Sequence, residues 1–547
     1  MTVLRPGDNL QVRGTQPAGG SEFSPAEAGI LGRYLTNLDG RVFALRNLPE
    51  VVMGALFSRY SRTEKRLPRV LLDEFLADPE AGLQHAEGPD PESAVSSERA
   101  EAFYARVLVG YGDDSVAELA GAHLAVERVS TLAAKALEDP RIGLSPLEKS
   151  TRYVRFDRPG LDGRHLYHRG PELAHPEYEP AMEELFGTYS RLVMPLTERL
   201  RERFPLEPGE TERAWKTATR ARALDLLRGL LPASTLTNLG LYGNGRAFEY
   251  LLTKLSASEL PECRELAGEM HAELSKVIPA FVRRGLDDRY GVPAAARMVE
   301  TRRRLSELAP PRRGRPSDVE VRLVGCDRDA ERTVAAALLF PHSDLPLAVL
   351  RDAELDGVDL DRVLEAALSG RTNRRQRTPR ALEHVNYTFE ITANFGAYRD
   401  LQRHRMLTQD RQLLGTSLGW DLPRELSEHG MAEPFRRAVQ EAAEAHHRLE
   451  SELGPVLAQY AVPLAFRLRW YAHVNLREVY HLCELRTSPQ GHPDYRLVAQ
   501  EMFRRVQEVH PRLAAYATFV DLSPGDELGR RASERRIDDK LAQLGNT

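Results

Sequence analysis

The 547-residue chain sets out one order of residues twice, and that duplication limits its fold more than any other feature. Asn244-Gly-Arg246 is followed, 20 residues after the asparagine, by Arg264-Glu-Leu-Ala-Gly-Glu-Met270. Asn475-Leu-Arg477 is followed, 21 residues after its asparagine, by Arg496-Leu-Val-Ala-Gln-Glu-Met502. Each asparagine lies twelve residues after a proline, Pro232 or Pro463. Upstream, Ser115-Val-Ala-Glu118 stands where Arg380-Ala-Leu-Glu383 stands in the second half. Several weak signals in matched order imply two copies of one unit. The strongest break between them is 306–318, SELAPPRRGRPSD, with three prolines. This divides the chain into a flexible tail (1–24), a first unit (25–305), a linker (306–318), a second unit (319–530) and a charged tail (531–547).

Within the second unit, 319–326 reads as a strand, and 330–339 and 360–369 as helices. The stretch 384–405, HVNYTFEITANFGAYRDLQRHR, alternates at first, with Val385, Tyr387, Phe389 and Ile391 on one side of a half-buried strand. After Asn394 a short helix fits better. It ends in Arg403, His404 and Arg405, three donors that call for an anion or else sit at a solvated helix end.

Hydrophobic residues make up 42% and charged residues 28%, as in a globular protein with ample core. A net charge of −5 argues against a generic polyanion binder. Cys263, Cys326 and Cys483 have no metal-ligand spacing, which fits a reduced, cytoplasmic setting. No apolar run reaches membrane length, and no signal peptide is evident at residues 1–20.

Leu382-Glu-His-Val-Asn-Tyr-Thr-Phe-Glu390, Arg403-His-Arg405, Asn475-Leu-Arg-Glu-Val-Tyr-His481 and Leu485-Arg486 together resemble the flavin-dependent thymidylate synthase family. The resemblance covers about 113–270 and 377–502, in two copies. It implies an α+β fold of two tandem units, each an antiparallel sheet with long flanking helices. The family follows Arg-His-Arg with seven residues and then Ser-x-Arg-Tyr. The second half keeps the first motif but has Leu413, Gly415 and Thr416 at the second. The first half keeps Ser150, Arg152 and Tyr153 but has Pro140, Arg141 and Ile142 at the first. Arg228 is kept in the first half, against Gln459 in the second. Arg486 is kept in the second, against Leu255 or Lys254 in the first.

The losses are complementary. They imply one composite site per chain, with Arg403, His404, Arg405 and Arg486 facing Glu148, Ser150, Arg152 and Arg228, and an empty reciprocal interface. By the resemblance, FAD is the cofactor, with NADPH and methylenetetrahydrofolate as co-substrates, and dUMP is methylated to dTMP. Arg486 is the catalytic residue by the same carry-over. Arg403, His404, Arg405, Ser115, Glu148, Asn475, Arg477 and His481 contact the cofactor. Ser150, Arg152, Arg228, Arg403 and Arg486 bind the nucleotide. A homodimer would reproduce the family's four-unit assembly.

Two positions depart from the pattern: Asp400 replaces a nucleotide-contacting Gln, and Arg380 a small hydroxyl residue. On chemistry alone, Ser150 and Arg152 project from one face if extended, or else form a surface turn. Asn475 and Arg486, eleven apart on a helix, line a pocket wall or else make interhelix bonds. His446-His447 reads as helix surface, not as a metal site. The basic runs 302–304, 312–315 and 371–377 read as solvated faces. No Gly-rich dinucleotide loop is present. The competing readings are an inactive flavin- or nucleotide-binding paralogue and an Arg-rich nucleic-acid binder.

Overall fold

The computed structural model describes residues 22–61, 63–76, 117–140, 142–160, 162–310, 315–354, 359–525 and 527–545. The chain forms two compact units, one of residues 1–122 with 275–281 and one of 123–274 with 282–547. In the first, the helix Pro25–Tyr34 starts with a capping box between Ser24 and Glu27. Phe23, Leu31, Tyr34, Val52, Leu56, Val70 and Leu71 form its core. Residues 22–24 therefore belong to a folded helix start, while 1–21 lie outside the described residues. The rest of the chain is taken up by the second unit.

Two antiparallel sheets carry the second unit's duplicated architecture. One has the order β1-β3-β2, with β1 at Gly121–Ser130, β2 at Leu144–Glu148 and β3 at Leu236–Asn244. The other has the order β4-β5-β7-β6, with β4 at Glu320–Cys326, β5 at Asn386–Asn394, β6 at Leu407–Arg411 and β7 at Arg467–Asn475. Apart from the extra edge strand β4, the two orders match. So does the register: Leu144 lies opposite Gly243 and Glu148 opposite Leu239, as Leu407 lies opposite Val474 and Arg411 opposite Trp470.

One local device recurs four times. A strand runs straight into a helix whose third residue donates its free N–H to the strand's last side chain. Ser130 caps Thr131–Glu138, Asn244 caps Gly245–Ser256, Asn394 caps Phe395–Leu401 and Asn475 caps Leu476–Arg486. Asn244 and Asn475 share φ −79° and ψ 161°. Val385, just before β5, and Tyr387, Phe389 and Ile391 along it are buried; burial is continuous from Ile391 to Asn394, where the cap begins the helix. The expected elements at 319–326, 330–339 and 360–369 are Glu320–Cys326, Ala330–Leu339 and Leu360–Leu368.

The halves meet across an internal two-fold seam. Pro232 lies opposite Pro463 in an antiparallel crossing. Ala233 N–H donates to Val462 O at 2.9 Å and Leu464 N–H to Leu231 O at 2.9 Å. Ser234 donates to Tyr460 O at 3.1 Å and Ala465 to Gly229 O at 3.0 Å. In each pair of bonds the roles are exchanged between residues 231 apart (232 and 463, 233 and 464, 234 and 465), as a two-fold axis requires. Helices Tyr178–Arg203 and Ala432–Leu453, one from each half, pack together. The segment 531–547, read as a charged tail, includes the helix Arg531–Gly545, which lies on Glu212–Leu227 and pairs Arg531 with Glu210 at 2.9 Å. Among the described residues, no helix is long and apolar enough to cross a membrane.

Candidate functional site

The seam brings the complementary residues together. At the end of β2, the Glu148 carboxylate is fully buried and receives three cations. Lys135 of the first half is 3.0 Å away, and Arg399 and Arg403 of the second are at 2.7 and 2.8 Å. Burial alone would raise the Glu148 carboxyl. Arg399, Lys135 and Arg403 together hold it well below the usual carboxylate range. Lys135 also pairs with Glu138. The signal for Arg399 is its place four residues before Arg403, in the helix Phe395–Leu401 that ends just short of the Arg-His-Arg triplet, but sequence reasoning did not single out Arg399 or Lys135.

Next to this hub lies Asp400. Its carboxylate pairs with Arg228 at 2.9 Å, and burial is overcome by Arg228, Arg403, Arg486 and Arg152, in that order, so that it stays ionised. Two of these cations come from each half. Gly396 leaves room for the approach: a Cβ there would sit 3.1 Å from Arg228 Nη2.

Arg152 forks onto Asp225 through Nε and Nη2, both at 2.7 Å. Across the seam it donates to the Tyr495 hydroxyl at 3.1 Å and to Gln490 O at 3.2 Å. The Tyr495 ring lies 5.9 Å from the Arg152 guanidinium and 5.4 Å from that of Arg486. Against its burial, Asp225 is held down at about 2 by Arg152. The Arg152 side chain is thus partnered by the protein, and Tyr495 and Asp225 are members of the cluster that the sequence did not reveal.

Of the two readings of 150–152, extended or turn, the structure has the turn. Residues 150–153 form a turn, and Ser150 Oγ accepts from the Arg152 N–H at 3.2 Å. A serine two residues before a backbone N–H readily makes this local bond, which takes the segment out of the strand. The turn's Arg152 nevertheless faces inward, with 11% of its side chain exposed.

On the second half, a cavity of about 360 Å³ is lined by Arg371, Arg374, Arg377, Arg403, Arg405, Arg477 and Arg486. Glu383, Glu478 and Glu484 also line it, so seven guanidiniums face three carboxylates. His404, Asn475 and His481 complete the set expected from the resemblance, while Ser115 lies outside the described residues and Glu148 sits beneath Arg403. Asn475 and Arg486 do share this wall, Asn475 also serving as helix cap. His404 is buried, Arg403 partly so, and Arg405 is exposed.

Within that cavity His404 joins two neighbours. Its Nδ1 is 2.7 Å from Glu478 and its Nε2 accepts from Arg486 Nε at 2.9 Å. Burial lowers its pKa to about 4, so the ring is neutral.

In the 371–377 run, Arg374, Arg375 and Arg377 are exposed, as a solvated face requires, but Arg371 is not: it makes two 2.7 Å bonds to Glu484 and, with Arg374 and Arg377, borders the cavity. The Glu484 partner of Arg371 lies 113 residues away, beyond the reach of any local pattern. His446 is likewise buried, with Nδ1 3.4 Å from Thr416, contrary to its surface reading. Its place on the inner stripe of the Ala432–Leu453 helix, with Val439, Ala442 and Leu449, explains this. Arg380 points outward and pairs with Glu383 at 3.0 Å.

At the reciprocal place the same geometry holds different groups. Arg411 occupies the register position of Glu148 and donates to Gln459 Oε1 at 3.2 Å, which also accepts from Leu414 N–H at 3.0 Å. Gly415, in the place of Arg152, presents no side chain.

The chain matches the model of the family described as thymidylate synthase complementing protein at residues 71–280 and again at 322–512. A Chlamydia muridarum protein named UPF0159 protein is 44% identical over 529 residues, covering 94% of this chain and 98% of that relative. A protein of Geobacter sulfurreducens named flavin-dependent thymidylate synthase is 28% identical over 207 residues, covering 36% of this chain and 84% of its own length. A solved UMP/dUMP methylase of Streptomyces cacaoi matches at 20% identity, with a TM-score of 0.32, over 38% of this chain and 97% of that one.

Proposed function

The chain belongs to the thymidylate synthase complementing protein family, over both of its halves, and from that premise we propose that it is a flavin-dependent thymidylate synthase with one composite site per chain. The copies correspond to 25–305 and 319–530, the substrate is dUMP and the product dTMP. The protein works in the cytoplasm, and two chains make a four-unit assembly. The observation that carries the reading is the convergence of Arg152 and Arg228 from one half with Arg403 and Arg486 from the other around a single buried point. Buried Arg228 Nη2, Arg399 Nε and Arg403 Nε have no protein partner among the described residues, which fits an anionic ligand at their side of the cluster.

FAD, when bound, supplies a hydride, with methylenetetrahydrofolate giving the carbon and NADPH restoring the reduced flavin. The carbon leaves the folate at the methylene level and the hydride brings it to methyl, while uracil loses its C5 proton. Arg371, Arg403, Arg405, Asn475, Arg477 and His481 would hold the cofactor in their cationic cavity. Glu148 would orient Arg403 from below. Arg228 with Ser150 and Arg152 would form the nucleotide side. Arg486 would stabilise negative charge developing on the uracil ring, which is worth most where water is excluded.

Asp400 favours a second reading, a paralogue that binds flavin without turnover, because it neutralises Arg228 where a phosphate would otherwise do so. The test is tritium release from dUMP labelled at carbon 5, using flavin-replete protein. Release supports the synthase; flavin absorbance with no release supports the paralogue.

A further inference from the structure

The cavity contains a three-membered chain whose order of donors is fixed. An arginine Nε–H can only donate. The 2.9 Å bond from Arg486 Nε to His404 Nε2 therefore requires an unprotonated Nε2. The ring proton must sit on Nδ1, 2.7 Å from the Glu478 carboxylate. Both ring nitrogens are then taken, which leaves His404 no hydrogen bond to offer a cofactor. His404 is 3% exposed and Glu478 7%, so water does not compete for these bonds. Glu478 is itself placed by the Asn475 cap, which accepts its backbone N–H at 2.9 Å, and His481 Nδ1 lies 3.3 Å from both its oxygens. On the far side of Arg486 stands the Tyr495 ring. The Arg486 Nη groups have no hydrogen bond to protein among the described residues, and the residue lines the cavity.

We infer that His404 and Glu478 are positioning residues. Glu478 fixes the Nδ1–H form of His404, and the bare Nε2 of His404 grips Arg486 by Nε so that its Nη edge stays aimed at the substrate. This rests on the proposed role of Arg486 for its effect on turnover, though not for the relay itself. A rigid grip matters because misplacement of a charge-stabilising group by about 1 Å can cost ~100-fold in rate.

The test uses the full-length, flavin-loaded protein with ¹⁵N-labelled histidine. At pH 7, the His404 resonances should report Nδ1–H with a bare Nε2; E478L, which leaves Nδ1–H without an acceptor, should weaken that preference, while E478Q, whose amide oxygen still accepts, should keep it. In turnover, H404L should lower kcat about 100-fold while changing the KM for dUMP less than about threefold. H404Q, which can both accept from Arg486 and donate to Glu478, should recover most of that loss. An Nε2–H form in the wild-type protein overturns the inference. So does H404L with unchanged kcat, or one that sheds flavin, which would make His404 a cofactor contact. A wild-type protein with the expected tautomer but no turnover upholds the relay and sinks the synthase reading instead.

Discussion

Glu148 and Arg411 occupy the same place in two copies of one sheet, yet they do opposite things. Glu148 gathers Lys135, Arg399 and Arg403 into a buried hub, while Arg411 makes do with a glutamine and its neighbour's carbonyl. The two halves match in strand order, register and cap positions, and the side chains facing the seam do not. Geometry is therefore a property of each half, whereas chemistry belongs to the pair.

The comparison breaks most sharply at Glu148. Glu148→Ala leaves three cations without their shared carboxylate and should cost about 3–5 kcal/mol, read from the urea midpoint. Arg411→Ala should cost less than about 1 kcal/mol by the same measurement. If the two costs are equal, the asymmetry of the seam is wrong.

Arg152 and Asp225 come next. Arg152→Ala strands a buried carboxylate and should cost about 2–4 kcal/mol. Because the Asp225 pKa is about 2 in the folded protein, against ~3.9 in an unfolded chain, its contribution is full above pH ~4 and is lost as pH falls toward 2. That acid-sensitive step should shrink in Arg152→Ala. A separate loss should precede it in the parent protein. His404 and His492 are neutral in the fold with pKa values of about 4, lowered by burial. The unfolded chain takes up those protons below pH ~6.5, so stability should decline from there downward.

A smaller effect is expected where the second half departs from its family. Asp400→Asn releases Arg228 and should tighten dUMP binding to the flavin-loaded protein about tenfold, roughly 1.4 kcal/mol, with deoxyuridine binding unchanged. Titration by flavin absorbance would show it, and weaker dUMP binding would mean that Asp400 itself holds the substrate. At the bottom of the scale, Arg380→Ser should change the stability read from urea unfolding by less than about 0.5 kcal/mol, since the Arg380 side chain is 82% exposed and pairs with Glu383 at the surface.

How far the chain could be read in advance follows from the range of each interaction. The β5 strand and the helix after Asn394 were legible because alternation and capping act within a few residues. The tandem arrangement was legible because a duplication repeats its spacing. At Ser150 the extended and turn readings stayed open because a side chain bonding its own backbone leaves no periodic trace. Arg371 was misjudged because its partner, Glu484, is met only after the second half has closed. The departure at Asp400 was visible as a residue, but its meaning required Arg228, which arrives from the other half.

The linear fusion of the two copies has a consequence for how such a protein can change. In an assembly of identical subunits, one codon change alters every equivalent interface at once, so a working site cannot be traded against an idle one. Once Pro232 and Pro463 face each other from a single chain, each side of the axis mutates independently. One interface can then be surrendered to packing while its twin stays under selection.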